Sequence, residues 1–341
     1  MKTGIIGASG YTGQELVSLL IRHPEINLET VTSRINSGKV LSAIIPKLGK
    51  CGHALSFSNP TIEELAISDT ELFFLALPHG TACEYAVPLV EAGKKVIDLS
   101  ADFRLNDSAT YKEYYGQEHP SPEWLSRAQY GLPELHDLSW SISPLIASPG
   151  CYPTSIIVPL APLLSDALIE TNDIVVNSIS GISGAGKSAS ERLLFCERNE
   201  SAGVYGLPKH RHLSEIEEQL SQAVGESLVL SFHPHLAPMN RGICSTISVR
   251  VKGNLNPNLI EDCWNDTYGQ RPFVQILKNG KLPETAKVTG TNRIDLAVQA
   301  DPRTNRYIIS SAEDNLLKGA GGQAVQSMNL CNGYEEGCGL L

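Results

Sequence analysis

The chain has 341 residues, of which 42% are hydrophobic, and carries a formal net charge of −10. This length is typical of two domains, and the acidic balance argues against a nucleic-acid surface, which needs clustered Lys and Arg. No apolar run approaches the ~20 residues of a membrane helix, and the glycine loop that begins at Gly7 leaves no room for a signal peptide. We therefore expect a cytoplasmic protein, without membrane or nucleic-acid partners, whose eight scattered cysteines are free thiols.

The pattern of predicted elements changes near Gly150. Before it, apolar runs alternate with helical stretches, which is typical of βαβ units and a parallel sheet. The strands predicted there are 3–6, 28–33, 72–77, 96–99 and 145–147, with a helix over 12–22. After Gly150 the predicted strands are 173–180, 227–232, 243–251, 293–300 and 306–312, and alternation within 293–300 indicates an antiparallel or mixed sheet. A final helix is predicted over 318–332, with a Gly-rich start that lets another part of the molecule approach closely.

A glycine loop follows the first predicted strand and opens the first predicted helix. Its spacing from Gly7 to Gly13 is G-x-x-G-x-x-G. Glycines at these positions permit a tight turn and let main-chain N–H groups reach a pyrophosphate, an anion that the helix dipole also favours. A plain strand-to-helix turn is the alternative. The residues predicted to contact a dinucleotide are Gly7, Ser9, Gly10, Tyr11, Thr12 and Gly13.

The end of the second predicted strand indicates which dinucleotide binds. An enzyme that uses NAD usually places Asp or Glu there, on the ribose hydroxyls, whereas this chain has Ser33 and Arg34. A hydroxyl and a guanidinium suit a 2′-phosphate, so NADP is the predicted cofactor. The alternative for Arg34 is a solvated surface side chain.

Cys151 follows a predicted strand and precedes an apolar helical stretch over 155–164. Pro153 suits a first helical turn, where its missing N–H costs nothing. A cysteine at a helix N-terminus lies in partial positive charge, which favours the thiolate, and thiolates attack acyl carbons well. These residues alone suit a covalent nucleophile and a buried structural thiol about equally well.

Six motifs, in this order, make the chain resemble the N-acetyl-γ-glutamyl-phosphate reductase family, which catalyses the NADPH-dependent third step of arginine synthesis. They are Gly-Ala-Ser-Gly-Tyr-Thr-Gly at 7–13, Pro-Gly-Cys-Tyr-Pro-Thr at 149–154, Ser-Gly-Ile-Ser-Gly-Ala-Gly at 180–186, His-Arg-His with Glu-Ile-Glu within 210–217, Pro-Met-Asn-Arg-Gly-Ile at 238–243, and Asp-Asn-Leu with Lys-Gly within 314–319. The motif around Cys151 is the most specific, because the related aspartate-semialdehyde dehydrogenases carry an Asn-Cys motif instead. Ser148 departs from the family, which commonly has Asn there.

The resemblance implies an α/β fold with two domains. One is a Rossmann-type dinucleotide-binding domain over 1–150, completed by a C-terminal helix within 315–341. The other is an α+β catalytic domain over 151–314, with a mixed or antiparallel sheet, like that of glyceraldehyde-3-phosphate dehydrogenase. The implied reaction is reduction of N-acetyl-γ-glutamyl phosphate to N-acetylglutamate 5-semialdehyde and phosphate, through a thioester on Cys151. A related reductase of lysine synthesis acts on an aminoadipyl phosphate, so the acyl group stays open.

The same resemblance implies roles for further residues. His210 is the expected acid–base group, with His212 as the second candidate, since a histidine titrates near neutrality. Arg104 and Arg241 are candidates for binding the anionic acyl-phosphate substrate, each with a structural ion pair as its alternative. A homo-oligomer, dimer or tetramer, is expected. The second part of the cofactor site is expected at Ser180, Gly181, Ser183, Gly184 and Asn315.

Two other classes of function compete with this interpretation. Residues 181–188 fit the P-loop pattern G-x-x-x-x-G-K-S, which predicts an ATP-dependent phosphotransferase. We disfavour it because the first glycine loop already predicts a dinucleotide site, and because the strands after Gly186 look antiparallel.

The pairs His210/His212 and His233/His235 would share a face if they lay on strands, as in a metal hydrolase. No clear carboxylate ligand accompanies them, so we expect no metal, and the pair at 233–235 is interpreted as structural or substrate-lining.

Overall fold

The computed structural model describes residues 1–254 and 256–341. They form two compact units, Met1–Pro149 with Ala320–Leu341, and Gly150–Gly319. Strands of the first unit are β1 (Lys2–Ile6), β2 (Asn27–Val31), β3 (Leu72–Leu75), β4 (Lys95–Asp98), β5 (Gln129–Tyr130) and β6 (Leu145–Ala147). Its helices before Pro149 are α1 (Tyr11–Leu20), α2 (Leu41–Ile44), α3 (Ile62–Ile67), α4 (Ala82–Glu91) and α5 (Ser108–Tyr115).

The first unit is built on a parallel six-stranded sheet in the order β2-β1-β3-β4-β6-β5. Its central strand β3 is apolar and buried at every residue, as expected of a parallel strand covered on both faces. One of the two hydrophobic clusters of this unit includes Ala324, Val325 and Met328 from the C-terminal segment, packed with core residues of β1 and α1. The predicted parallel sheet is therefore confirmed.

The second predicted strand ends two residues early, at Val31. The N–H of Ser33 donates to the carbonyl oxygen of Ser58 at 2.9 Å, and Thr32 forms an isolated bridge with the same residue. The chain therefore leaves β1 at this point and turns toward the loop around residue 58.

The second unit contains the remaining elements. Its strands are β7 (Val175–Ser180), β8 (Gly203–Val204), β9 (Ser231–Leu236), β10 (Ile243–Arg250), β11 (Val274–Ile276), β12 (Ile294–Asp301) and β13 (Arg306–Glu313). Its helices are α6 (Cys151–Ser165), α7 (Phe195–Arg198), α8 (Arg211–Val224), α9 (Pro257–Tyr268) and α10 (Thr285–Val288). The chain then passes through a π-helical turn, Leu317–Gly321, into α11 (Gly322–Cys331) of the first unit.

The second sheet is mixed, as predicted, in the order β11-β12-β13-β10-β7-β9-β8. The pairs β7·β9 and β11·β12 are parallel and the other four are antiparallel. The strand predicted at 227–232 is wrong, because β9 starts only at Ser231. Before it, the N–H of Leu228 donates to the hydroxyl of Ser221 and that of Leu230 to the Glu217 carboxylate, so this stretch is bound to α8 instead of a strand.

Helix α6 is buried along almost its whole length although it contains two prolines past its first turn. Pro159 and Pro162 have no N–H to donate to the carbonyls four residues earlier. Those two acceptors are satisfied from outside the helix: Ser311 Oγ donates to Ser155 O at 2.6 Å, and Tyr268 Oη donates to Val158 O at 2.6 Å. The two carbonyls that the prolines leave without a helical donor therefore bind α6 to neighbouring elements, and the helix continues through both prolines.

Within the described residues, no helix is both long and apolar enough to cross a membrane.

Two glycines of the first loop give a paired test of the fold. A Cβ on Gly13 would lie 2.6 Å from both Ala8 Cα and Gly7 O, whereas a Cβ on Gly10 would have nothing nearer than Gly7 O at 3.9 Å. Because the neighbours of Gly13 are main-chain atoms, we expect Gly13→Ala to lower the free energy of unfolding by about 1–3 kcal/mol. Gly10→Ala should leave it close to wild type. Urea unfolding of both variants measures this, and equal stability of the two would contradict it.

Candidate functional site

The first glycine loop has the geometry of a site for an anion. Gly7 has a φ of +87°, and its N–H donates to Thr32 Oγ1 at 3.2 Å, which holds the turn against the end of β2. Gly10 is the N-cap of α1 and no side chain caps this helix. The N-terminal end of α1 is therefore not capped by a side chain, which suits an anion such as phosphate. Gly10 leaves room for that anion to approach.

Ser33 and Arg34 lie beyond β2, where the sequence predicts the 2′-phosphate site. Ser33 is buried, while Arg34 is exposed and its Nη2 donates to the hydroxyl of Tyr85 at 3.2 Å. This hydrogen bond is the main cause that raises the pKa of Arg34 above its usual value. A solvent-facing guanidinium can accept a phosphate without first losing an ion pair.

Cys151 is the first residue of α6, as predicted. Its N-cap Gly150 has no side chain to cap the helix, and the Gly150 N–H donates to Glu215 Oε1 at 2.8 Å. Gly319 lies against the cysteine, since a Cβ there would be 2.8 Å from the Cβ of Cys151. The close approach predicted for the Gly-rich segment therefore occurs at Cys151 itself.

Arg104 holds the chain that leads to this cysteine. It is 8% exposed, its Nε donates to Ser148 O at 2.8 Å and its Nη2 donates to Leu99 O at 2.8 Å. The Ser148 N–H in turn donates to Asp98 O at 2.7 Å. The predicted role of Arg104 toward the substrate stays a prediction, and these contacts give it a second task in fixing the segment before Cys151.

A cavity of about 450 Å³ opens in the second unit in front of Cys151. Both candidate histidines line it, together with Tyr152 and Tyr205. The Tyr205 hydroxyl donates to that of Tyr152 at 3.0 Å. Neither tyrosine was singled out by the sequence, where Tyr152 is visible only as part of the cysteine motif.

His210 is the N-cap of α8 and His212 lies in its first turn, so the strand considered for this segment is wrong. Nδ1 of His210 accepts the N–H of His212 at 3.1 Å, which leaves Nε2 as the nitrogen for chemistry. The His210 ring makes edge contacts with the rings of Tyr152 and Tyr205, at centroid distances of 5.5 and 5.4 Å. Burial, and secondarily the charge of Arg211, lowers the pKa of His210 to about 4. At neutral pH this imidazole is uncharged, and because Nδ1 accepts the His212 N–H, the ring carries its proton on Nε2.

The segment that matches the P-loop pattern cannot hold a phosphate in the manner of a P-loop. It follows β7 but continues into a short 3-10 turn, Ile182–Ala185, and not into an α-helix. Main-chain carbonyl oxygens already accept the N–H groups that would surround the phosphate, namely those of Gly181, Ile182, Ser183, Gly184 and Gly186. A phosphotransferase is therefore not favoured.

Asn315 holds this segment in place. Its Oδ1 accepts the N–H of Gly242 at 2.8 Å, and its Nδ2 donates to Ser183 Oγ at 3.0 Å. Ser180 Oγ donates to the carbonyl of Gly181, and a Cβ on Gly184 would lie 2.9 Å from that hydroxyl. The five residues predicted as the second part of the cofactor site thus form one connected structure, and their contact with a cofactor stays a prediction.

Arg241 forms an ion pair with Asp314, with Nη2 and Oδ1 3.0 Å apart. The Asp314 carboxylate is fully buried and also accepts the N–H groups of Gly290 and Leu316. The ion-pair alternative considered for Arg241 is therefore present, and its predicted role in substrate binding stays a prediction.

His233 and His235 lie on β9 and point to the same face of the sheet. Nδ1 of His233 is 3.1 Å from Asn177 Oδ1, and Nδ1 of His235 is 3.0 Å from the carbonyl of His233. No group of three or more His, Cys, Asp or Glu suited to a metal ion was found in residues 1–254 and 256–341.

Comparison with known proteins gives consistent matches over both units. The family model for the NAD-binding domain of semialdehyde dehydrogenase matches residues 2–140, and that for the semialdehyde dehydrogenase dimerisation domain matches residues 151–315. Over the whole chain and 98% of each relative, the sequence is 49% identical to N-acetyl-gamma-glutamyl-phosphate reductase of Akkermansia muciniphila and 46% identical to that of Desulfotalea psychrophila.

Two solved structures share the fold at low identity. Aspartate semialdehyde dehydrogenase of Francisella tularensis is 16% identical with a TM-score of 0.72, covering 97% of this chain and 100% of that one. The enzyme of Candida albicans, solved with NADP, is 16% identical with a TM-score of 0.68, covering 97% and 98%.

The lowered pKa of His210 can be measured directly. In an imidazole NMR titration, we expect its resonance to keep the position of a neutral ring from pH 8 down to about 5, because protonation would place a charge in a partly buried, ring-lined site. The variant His210→Asn assigns the signal. A midpoint near the ordinary histidine value of ~6.5 would contradict this account of the site.

Proposed function

Because the chain belongs to the N-acetyl-γ-glutamyl-phosphate reductase family of semialdehyde dehydrogenases, we propose that it reduces N-acetyl-γ-glutamyl phosphate to N-acetylglutamate 5-semialdehyde and phosphate, using NADPH. The observation that carries the proposal is the position of Cys151, at the uncapped start of a buried helix and in a cavity that His210 also lines. A thiol so placed, beside an uncharged imidazole, has what acyl transfer needs.

Cys151 acts as the nucleophile in two half-reactions. To act as a base, the His210 ring moves its proton from Nε2 to Nδ1 and gives up the bond to the His212 N–H. Nε2 then accepts the thiol proton, the thiolate attacks the γ-acyl carbon, and a C–S bond forms as the C–O bond to phosphate breaks. Phosphate leaves with that electron pair and takes a proton from water. The product of this half-reaction is a thioester on Cys151, which holds the acyl group in place for reduction.

The second half-reaction reduces the thioester. The nicotinamide of NADPH, when bound, supplies the hydride. His210 gives its proton to the carbonyl oxygen of the reduced thioester, which becomes a thiohemiacetal. It then takes the hydroxyl proton back as the C–S bond breaks and the aldehyde leaves. His212, two residues on and also in the cavity wall, is the second candidate for this proton transfer.

The residues present fit NADPH as the cofactor. The uncapped N-terminus of α1 and the open position at Gly10 suit its pyrophosphate. Ser33 and the exposed Arg34 suit the 2′-phosphate. We assign the second part of the site to Ser180, Gly181, Ser183, Gly184 and Asn315.

A homo-oligomer fits the open face of the second sheet. Along β7 and β10 one face is buried under helices, while residues of the other face, such as Asn177, Ile179 and Thr246, are exposed. Ile179 is 41% exposed, which is unusual for an apolar residue in a central strand. We propose that a second copy of the chain covers this face.

A cytoplasmic setting suits the eight free cysteines.

The reaction is tested by following NADPH oxidation with N-acetyl-γ-glutamyl phosphate, and the reverse reaction with aldehyde, phosphate and NADP. We expect phosphate-dependent turnover that Cys151→Ser abolishes while NADPH still binds, because an alcohol is barely ionised near neutral pH. Cys244→Ser, at a partly buried thiol on β10, is the matched control and should keep activity. Faster turnover with an aminoadipyl phosphate would move the proposal to the lysine-type substrate, and near-normal turnover of Cys151→Ser would refute the mechanism.

The choice of cofactor is tested at Arg34. We expect Arg34→Ala to raise the KM for NADPH by at least about tenfold, since a charged hydrogen bond to the 2′-phosphate is lost, and to leave the KM for NADH nearly unchanged. NADH, which has no such phosphate, is the internal control. Equal losses for both cofactors would show that Arg34 supports the fold and not the phosphate.

A further inference from the structure

The cationic side chains around the cavity differ from those that the sequence suggests for the substrate. Arg104 donates to main-chain carbonyls of the first unit, and Arg241 is paired with a buried aspartate. Neither lines the cavity in front of Cys151, whereas Arg192, Arg198 and Arg211 do. An anionic substrate in this cavity therefore meets a different set of positive charges.

Arg198 has a buried hydrogen-bond donor that the protein does not use. It is the last residue of α7, and its Nε is buried with no hydrogen-bond partner among residues 1–254 and 256–341. When a buried donor of a charged group has no hydrogen-bond partner, the free energy of unfolding is lowered by the full cost of removing that donor from water. Nε itself is closed to water, but the Arg198 side chain also lines the cavity, where an oxyanion can meet the rest of the guanidinium.

The space in front of Arg198 is left by a glycine. Gly203, in the short strand β8, also lines the cavity, and a Cβ built on it would lie 3.9 Å from Nη1 of Arg198. A larger side chain at this position would extend toward the guanidinium. A glycine therefore lies beside the arginine whose Nε has no hydrogen-bond partner among the described residues.

Arg192 adds positive charge to the same cavity. It is exposed and lies in the 3-10 turn Glu191–Leu193, a few residues before Arg198. Burial raises the pKa of Tyr205 to about 12, but the charges of Arg211 and Arg192 both act to lower it. Both cations therefore lie within electrostatic reach of one hydroxyl of the cavity, whose wall they also line.

We infer that Arg198, assisted by Arg192, is the receptor for an oxyanion of the substrate, either its phosphate or its carboxylate. The inference rests on the proposed function only for the identity of the substrate. A guanidinium presents a planar pair of donors that matches both oxyanions bidentately, and it keeps its charge at every pH at which the enzyme works. These residues therefore set the affinity for the substrate and not the rate of the chemical steps.

The reverse reaction separates the two oxyanions, because phosphate and the carboxylate-bearing aldehyde are then different substrates. We expect Arg198→Gln to raise the KM for one of them by about 10- to 100-fold, with kcat within about threefold of wild type. Arg198→Lys keeps the charge but loses the paired donors, so its KM should lie in between. Arg192→Gln should have a smaller effect in the same KM, because this side chain is exposed. Arg303→Gln, at an exposed arginine in the turn after β12, is the matched control and should change neither constant.

Each outcome has one meaning for the inference. A rise in the KM for phosphate assigns the phosphate, and a rise in the KM for the aldehyde assigns the carboxylate. Unchanged KM values for both, or a fall in kcat alone with a lowered unfolding midpoint, would overturn the inference. Calorimetry with inorganic phosphate and with N-acetylglutamate gives a readout without turnover: one of these ligands should bind to wild type and not to Arg198→Gln. If wild type shows no phosphate-dependent turnover, the proposed function fails, and calorimetry still decides the role of Arg198.

Discussion

A hydrogen bond near their N-termini joins the two helices on which the proposed chemistry of the second unit depends. It runs from the N–H of Gly150, just before α6, to the buried carboxylate of Glu215 on α8. Helix α6 begins with Cys151 and α8 begins directly after His210, so this bond links the start of α6 to α8 near both candidate catalytic residues. Hydrogen bonds to ionised acceptors are short and directional, and this one is shielded from water. It adds to the bond at the other end of the helices, from Ser165 Oγ to Ala223 O at 3.1 Å, so the two helices are joined at both ends.

The sequence predicts well what depends on local pattern. Five of the six strands of the first sheet, the glycine loop and the helix that begins at Cys151 all follow from apolar periodicity and from residues with special main-chain preferences, whereas β5 is not predicted. It predicts poorly what depends on partners far away in the chain. His210 caps a helix with its ring nitrogen, a role that Ser, Thr, Asp and Asn usually have, so no common capping pattern marks the start of α8. Which arginines line the cavity likewise depends on long-range packing, and Arg192 and Arg198 carry no local mark.

The pattern at 181–188 shows why a motif needs its structural context. A P-loop binds phosphate because its N–H groups point inward and a helix follows. Here the spacing is the same, but those N–H groups donate to carbonyls of the loop itself and of residues 239–242, and no helix follows. The glycines serve close packing instead: a Cβ on Gly181 would lie 2.7 Å from the main-chain nitrogen of Arg241. The same letters therefore encode a closely packed turn and not a P-loop.

The place of α11 in the first core has a consequence for how the protein is made. Ala324, Val325 and Met328 fill a cluster whose other members come from the first half of the chain, and the buried Glu134 carboxylate accepts hydrogen bonds from Gln323 and Gln326. A ribosome synthesises the whole second unit before it reaches these residues. During that time the first unit exposes an incomplete core and a carboxylate that lacks its amide donors. The first unit therefore cannot complete its core until the C-terminal segment has been synthesised. Until then its exposed apolar surface is prone to aggregation and is a binding site for chaperones.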